Sequence, residues 1–190
     1  MKTPLEIEFK YHAGMISLEK FKAFCLDREP VKTIIASGFD YFYANEKDSN
    51  AFCRLRVGAD INQLTFKRKT KDANNFVRTE HNVELSKDMT IEQIQSFVSE
   101  FGYKPDATIF KNCFVYKYNY YTLVYYICYD TNMTEQGRYV EIEMAEEYPW
   151  RNEKEAYEGL LSLERLCKPL GIAPQGRIKR SLFELYGNAK

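Results

Sequence analysis

The tightest constraint on this chain is the alternation in Leu5-Glu6-Ile7-Glu8-Phe9-Lys10-Tyr11. At a period of two, Leu5, Ile7, Phe9 and Tyr11 share one face, and Glu6, Glu8 and Lys10 share the other. The polar face is fully charged, and its two acids stand about 6.6 Å apart on an extended backbone. In water such a pair repels by well under about 1 kcal/mol, but at an effective dielectric of about 20 it repels by about 2 to 3 kcal/mol. A solvated face tolerates that pair, whereas an enclosed face needs a cation between the acids. What the chain can be turns on whether this face lies inside or outside.

The same device recurs down the sequence. Residues 51–57 put Arg54 and Arg56 on one face, and residues 63–69 set Leu64 and Phe66 against Thr65, Lys67 and Lys69. Residues 76–85 alternate Arg78, Glu80, Asn82 and Glu84 with apolar or small neighbours. Residues 138–144 oppose Val140, Ile142 and Met144 to Tyr139, Glu141 and Glu143, so the acidic doublet appears twice. With β-rich runs at 31–43, 107–118 and 120–130, the count reaches eight strands, mostly joined by short antiparallel links. Helical patterns occupy 17–26, 90–102 and 153–170, and a basic segment from Arg177 to Ser181 precedes a short tail, 182–186. No linker or composition break divides the chain, so residues 1–190 read as one domain.

Two architectures fit this pattern. In one, the charged faces lie in water and the apolar faces meet the helices. In the other, the strands close with their charges inward. The stripes are segregated by strand, Glu6/Glu8 and Glu141/Glu143 acidic, Arg54/Arg56 and Lys67/Lys69 basic. Ordinary cross-strand ion pairs need no such sorting. The i, i+2 arginine pair also presents the fork geometry that suits phosphate oxygens. Eight strands can close around one ligand. The expected class is therefore α+β, mainly antiparallel, an eight-stranded closed, tunnel-like barrel with a charged interior and helices packed outside. Such a lumen would hold a divalent metal against its acids and an oligophosphate against its bases.

Composition removes competing classes. Lys+Arg and Asp+Glu both number 27, which excludes the basic surplus of a general nucleic-acid binder or a membrane-surface protein. The five cysteines are scattered and odd in number, and with only His12 and His81 a zinc site or disulfide scaffold is not expected. The longest uncharged run, residues 118–129, is too short to span a bilayer as a helix, and no apolar signal core stands at the start. These features point to a cytoplasmic protein.

In order along the chain, several short motifs resemble one known family. Glu6-x-Glu8-x-Lys10 is similar to the E-x-E-x-K signature of the CYTH, or triphosphate tunnel metalloenzyme, superfamily. Arg54-Leu55-Arg56, Leu64-Thr65-Phe66-Lys67 and Arg78-Thr79-Glu80 resemble its R-x-R, L-T-x-K and R-x-E strands. Gly102-Tyr103-Lys104-Pro105 and Thr108-Ile109-Phe110-Lys111 resemble the entry to its next basic strand. Asp130, Gly137 to Glu143 and Arg180-Ser181 resemble its closing elements. Two positions depart: Cys113 stands where the family has arginine, and Leu182 where it has tyrosine.

The resemblance implies that Glu6, Glu8, Asp130, Glu141 and Glu143 hold Mg²⁺ or Mn²⁺, hard cations that prefer oxygen. It implies that Lys10, Arg54, Arg56, Lys67, Arg78, Lys111 and Arg180 bind the phosphates of a small-molecule triphosphate or nucleotide. Those carboxylates with Lys10 would form the catalytic set. Glu80 and Glu84 are expected to order the neighbouring arginines rather than bind metal, and Cys113 and His81 to pack. The family includes triphosphatases and class IV adenylyl cyclases, and also allows binding without turnover and homodimers. Hydrolysis makes the smallest demand, since it needs neither base recognition nor a controlled ribose pose.

Overall fold

The computed structural model describes residues 5–59, 61–70, 77–145 and 152–188. Phe76, at the expected start of the fifth strand, and Asp60, in the loop after the third, lie outside the described residues. The long strands are β1 (Leu5–His12), β2 (Lys32–Asn45), β3 (Ala51–Gly58), β4 (Asn62–Lys69), β5 (Val77–Glu84), β6 (Tyr103–Lys117), β7 (Tyr121–Tyr129) and β8 (Glu135–Met144). They hydrogen-bond in the order β5-β4-β3-β2-β6-β7-β8-β1, and β1 pairs back onto β5 through Glu6↔Arg78. That last pairing closes the barrel. A two-residue strand, β9 (Arg177–Ile178), pairs with Lys10 and Tyr11 beyond the point where β5 leaves off.

Register fixes the inner face. Glu8 stands opposite Glu143 and Lys10 opposite Glu141 on β8. Lys67 stands opposite Glu80, Arg54 opposite Thr65, and Asp40 opposite Arg56. Because side chains alternate at a period of two, every charged stripe of the sequence lands on this one concave surface. The apolar partners point outward, so the barrel needs cover. The helices α1 (Leu18–Leu26) and α3 (Glu153–Leu166) bury Ile7, Phe9, Tyr11, Leu123, Tyr125, Val140 and Ile142 together with Phe21, Cys25, Leu160 and Leu163. The helix α2 (Ile91–Ser99) covers Tyr43, Cys53, Leu55 and Leu64 with Ile94 and Val98. No helix among the described residues is long and apolar enough to cross a membrane.

Several boundaries differ from the sequence expectation, each for a local reason. The helix expected over 90–102 ends at Ser99, and Gly102, at φ +80°, turns the chain into β6. β6 starts four residues earlier than expected and accommodates Pro105 beside a register shift in β2 at Phe42/Tyr43. The pattern over 153–170 is helical only to Leu166, after which Pro169 forces a tight 3₁₀ turn over Lys168–Leu170. The tail is a further short helix, α4 (Leu182–Tyr186), started by a capping box between Ser181 and Glu184.

That helix lies over one end of the barrel. Phe183 stacks on Phe52 at 4.8 Å between ring centroids and leans on Phe42, and both partners belong to the inner face. Tyr186 shares a 2.6 Å hydrogen bond with Tyr139 of β8, and Glu184 lies 2.5 Å from Lys69 and 3.9 Å from Arg78. Leu182 and Phe183 join Phe42, Phe52, Ile109, Tyr126, Cys128 and Tyr139 in a buried apolar cluster. One end of the lumen is thus packed with rings, and the charges occupy the rest.

Candidate active site

Three groups of buried charges line the lumen. In the first, the Lys67 ammonium sits between Glu6, 2.5 Å away, and Glu80, 2.6 Å away. In the second, Lys10 lies 3.4 Å from Glu8 and 3.1 Å from Glu141, and Tyr126 donates its hydroxyl to Glu141 at 2.7 Å. In the third, Arg56 grips Asp40 through Nε at 2.7 Å and Nη2 at 2.9 Å, and Lys111 approaches the same carboxylate to 3.7 Å. The Lys111 ammonium also lies 4.0 Å over the Tyr126 ring. Between these groups, Arg78 reaches Glu8 at 3.7 Å, and Arg54 donates Nη2 to Thr65, which bonds Asn82 in turn.

The electrostatics are uneven. Burial raises the Glu6 carboxyl most, Lys67 pulls it down, and Glu8 and Glu80 push it up again, so that it stands at about 7. Burial, then Glu6, Glu8 and Glu80, lift Glu143 well above the ordinary carboxylate range. Against its own burial, Glu141 is held down to about 2 by Lys10, Lys111 and the Tyr126 hydrogen bond. Lys10 and Lys67 are raised despite burial, because acids flank both. Lysine therefore answers Glu6, Glu8 and Glu141, and Glu143 has no cation against it among the described residues. The second oxygen of Glu6 is buried with no hydrogen-bond partner among the described residues, and so is Nε of Arg54.

These residues suit a divalent metal in donor chemistry, since Glu6, Glu8, Glu141 and Glu143 offer hard oxygens, and burial among other acids makes the charged form of Glu143 costly unless a cation joins it. They are not gathered into a cage: among the described residues, no three His, Cys, Asp or Glu side chains converge closely enough to hold an ion as they stand. Lys10 and Lys67 hold the acids apart.

Of the residues singled out in the sequence, Glu6, Glu8, Lys10, Arg54, Arg56, Lys67, Arg78, Lys111, Glu141 and Glu143 all face the lumen. Two are placed elsewhere. The carboxylate of Asp130 accepts from the backbone of Asn132 and Thr134 and from Gln136, and so braces the β7–β8 turn rather than joining the other acids. Arg180 is exposed on the segment leading to α4. Glu80 pairs with Lys67 and Glu84 accepts from Gln63, in place of the arginines expected for them, and His81 is exposed on the outer surface instead of packing. Cys113 faces inward, half-buried, opposite Tyr126. The residue that sequence reading missed is Asp40, only 1% exposed. Its alternation with Phe42 and Ala44 was the available signal, obscured by the aromatic run around it.

No protein-family model and no curated protein matches the chain. Solved structures do. A conserved hypothetical protein from Pyrococcus furiosus superposes with a TM-score of 0.73 at 25% identity, over 95% of this chain and 99% of that one. A candidate adenylate cyclase from Vibrio parahaemolyticus gives 0.68 at 14% identity, over 97% and 98%. The capping-enzyme triphosphatase of Mimivirus gives 0.54 at 8% identity, over 88% and 89%. With its closed antiparallel wall and its inward charges, the chain shares the barrel fold of these structures, the fold that its sequence resemblance implied.

Proposed function

We propose that the tunnel binds a small-molecule triphosphate and hydrolyses it with a divalent metal, Mg²⁺ or Mn²⁺. One observation carries this reading: among the described residues the same lumen contains a carboxylate with no cation against it, at Glu143, a second Glu6 oxygen with no hydrogen-bond partner, and a guanidinium nitrogen short of an acceptor, at Arg54. A metal–polyphosphate pair meets both needs at once, and neither a lone anion nor a lone cation does. Glu6, Glu8, Glu141 and Glu143 would hold the metal, which when bound supplies Lewis-acid polarisation and an activated water. Arg54, Arg56, Lys67, Arg78 and Lys111 would orient the phosphates and stabilise the charge that shifts during transfer. Lys10, pinned between Glu8 and Glu141, keeps the two acidic strands together and offers its ammonium to the same phosphates.

The deciding experiment is chromatographic product analysis over ATP, GTP, tripolyphosphate and thiamine triphosphate, with Mg²⁺, Mn²⁺ or chelator. Hydrolysis predicts phosphate release that chelator and Glu6→Ala abolish. Cyclic AMP with pyrophosphate would replace this reading by a cyclase, and tight binding with no product would replace it by a binding protein.

A further inference from the structure

Asp40 lies in the middle strand of the β3-β2-β6 wall, directly opposite Arg56 on one side and two pairs removed from Lys111 on the other. It binds the Nε and Nη2 edge of Arg56 side-on. A guanidinium held by that edge keeps the Nη1 hydrogens and one Nη2 hydrogen for another acceptor. The carboxylate is almost wholly buried, whereas the Arg56 side chain is 27% exposed, so the carboxylate lies behind the guanidinium and the free edge faces the lumen. Lys111 reaches the same carboxylate from β6 at 3.7 Å. A charge this deeply placed costs stability unless it is fully paired, and two cations pair it.

We infer that Asp40 is a positioning residue of the tunnel: it fixes the orientation of Arg56, and secondarily Lys111, toward bound phosphate without touching the phosphate itself. This rests on the triphosphatase reading above. It also has an electrostatic consequence. Asp40 cancels one of the two positive charges of its wall, so it weakens ground-state attraction for phosphate while improving the aim of the groups that make it.

The two effects separate in Asp40→Asn. Removing the negative charge leaves KM for tripolyphosphate unchanged or lower, while misdirected Arg56 lowers kcat by about 10- to 100-fold. A merely structural role would raise KM and lower kcat together. Because Asp40 acts through Arg56, adding Asp40→Asn to Arg56→Gln should cost less than a further 3-fold, although alone it costs 10-fold or more; that is the non-additivity expected of coupled residues. Calorimetric titration of tripolyphosphate into the same four proteins in chelator reads the coupling without turnover. If the wild type forms no product from any triphosphate, the hydrolase reading falls, and the binding cycle still decides the role of Asp40. A proportional rise in KM, an unchanged kcat, or additive losses in both cycles would overturn it.

Discussion

Replacing Lys67 by methionine tests whether the lumen charges are enclosed as the structure places them. The Lys67 side chain is 8% exposed, with Glu6 and Glu80 within 2.6 Å of its ammonium and side-chain exposures of 12% and 17%. Methionine keeps most of the stem and removes the charge, leaving two buried carboxylates beside Glu8. Breaking one partner from such a cluster costs about 3 to 5 kcal/mol, far above the value of an exposed pair. For a domain of this size, each kcal/mol lowers Tm by about 2 to 4 °C, so a loss of about 10 °C is expected. The pH dependence sharpens the test. Glu6 already stands at about 7 with Lys67 present, whereas Lys67, against burial, holds Glu80 well below the ordinary carboxylate range; without Lys67 both carboxyls rise. A carboxyl raised in the folded state costs nothing below its unfolded value, where both states are protonated, and costs progressively more as pH climbs toward the raised value. The Glu80 part of the deficit is already present at pH 5 and the Glu6 part grows above it, so the deficit should be larger at pH 8 than at pH 5, read by thermal unfolding of the metal-free protein in chelator. Melting within about 2 °C of wild type at pH 8, or an equal deficit at both pH values, would refute an enclosed, lysine-neutralised pair.

Three further outcomes are expected. A Cβ at Gly38 would lie 2.4 Å from the Val57 carbonyl oxygen, a backbone atom that cannot swing away, so Gly38→Ala should destabilise by about 3 kcal/mol in urea unfolding; an unchanged midpoint would show that β2 and β3 do not approach so closely there. Saturating Mn²⁺, at about 100 times its dissociation constant, should stabilise the wild type by about 2.7 kcal/mol, a rise in Tm of roughly 5 to 10 °C, and Glu143→Gln should lose most of that rise; equal shifts in both proteins would place the metal away from these acids. Burial alone would raise the Asp40 carboxyl, but Arg56, Lys111 and Arg54 hold it well below the usual aspartate range. Its pairing therefore stabilises the fold above the ordinary aspartate value and is lost as pH falls below it, so the margin of wild type over Asp40→Asn in urea should shrink between pH 5 and pH 3.

The strands were legible because a period of two carried through eight segments with little ambiguity, and Glu6/Glu8 and Glu141/Glu143 could be paired as two walls before any coordinates. Closure was inferred from the cost of an enclosed acid pair, and the β1–β5 pairing at Glu6↔Arg78 bears it out. What stayed hidden depends on contacts between distant segments. Asp40 sits in a run of aromatics whose two faces cannot be told apart by hydropathy, and its meaning appears only when Arg56 and Lys111 arrive from neighbouring strands. The placement of α4 over one end rests on Phe183 meeting Phe52, 131 residues earlier (183 − 52), which no local pattern announces. Asp130 misled in the opposite direction, since an acid in a motif can serve its own turn.

The departure at Cys113 now has a physical consequence. On β6 the inner row reads Ile109, Lys111, Cys113, so this wall carries Lys111 and, across β2, Arg56. Asp40 answers one of those two charges. An arginine at position 113 would have kept the wall strongly positive; with cysteine there, its surplus is a single charge. Beside it, β3 to β5 carry Arg54, Lys67 and Arg78, and of these Arg54 has a buried Nε without an acceptor among the described residues. The phosphate grip required by the proposed triphosphatase therefore leans on the Arg54 side of the tunnel. Arg54→Ala should weaken tripolyphosphate binding more than Arg56→Ala does, because among the described residues Arg56 already has a carboxylate partner and Arg54 does not. Calorimetry of the two variants side by side measures that order directly, and the reverse order would mean that Asp40 releases Arg56 when phosphate arrives.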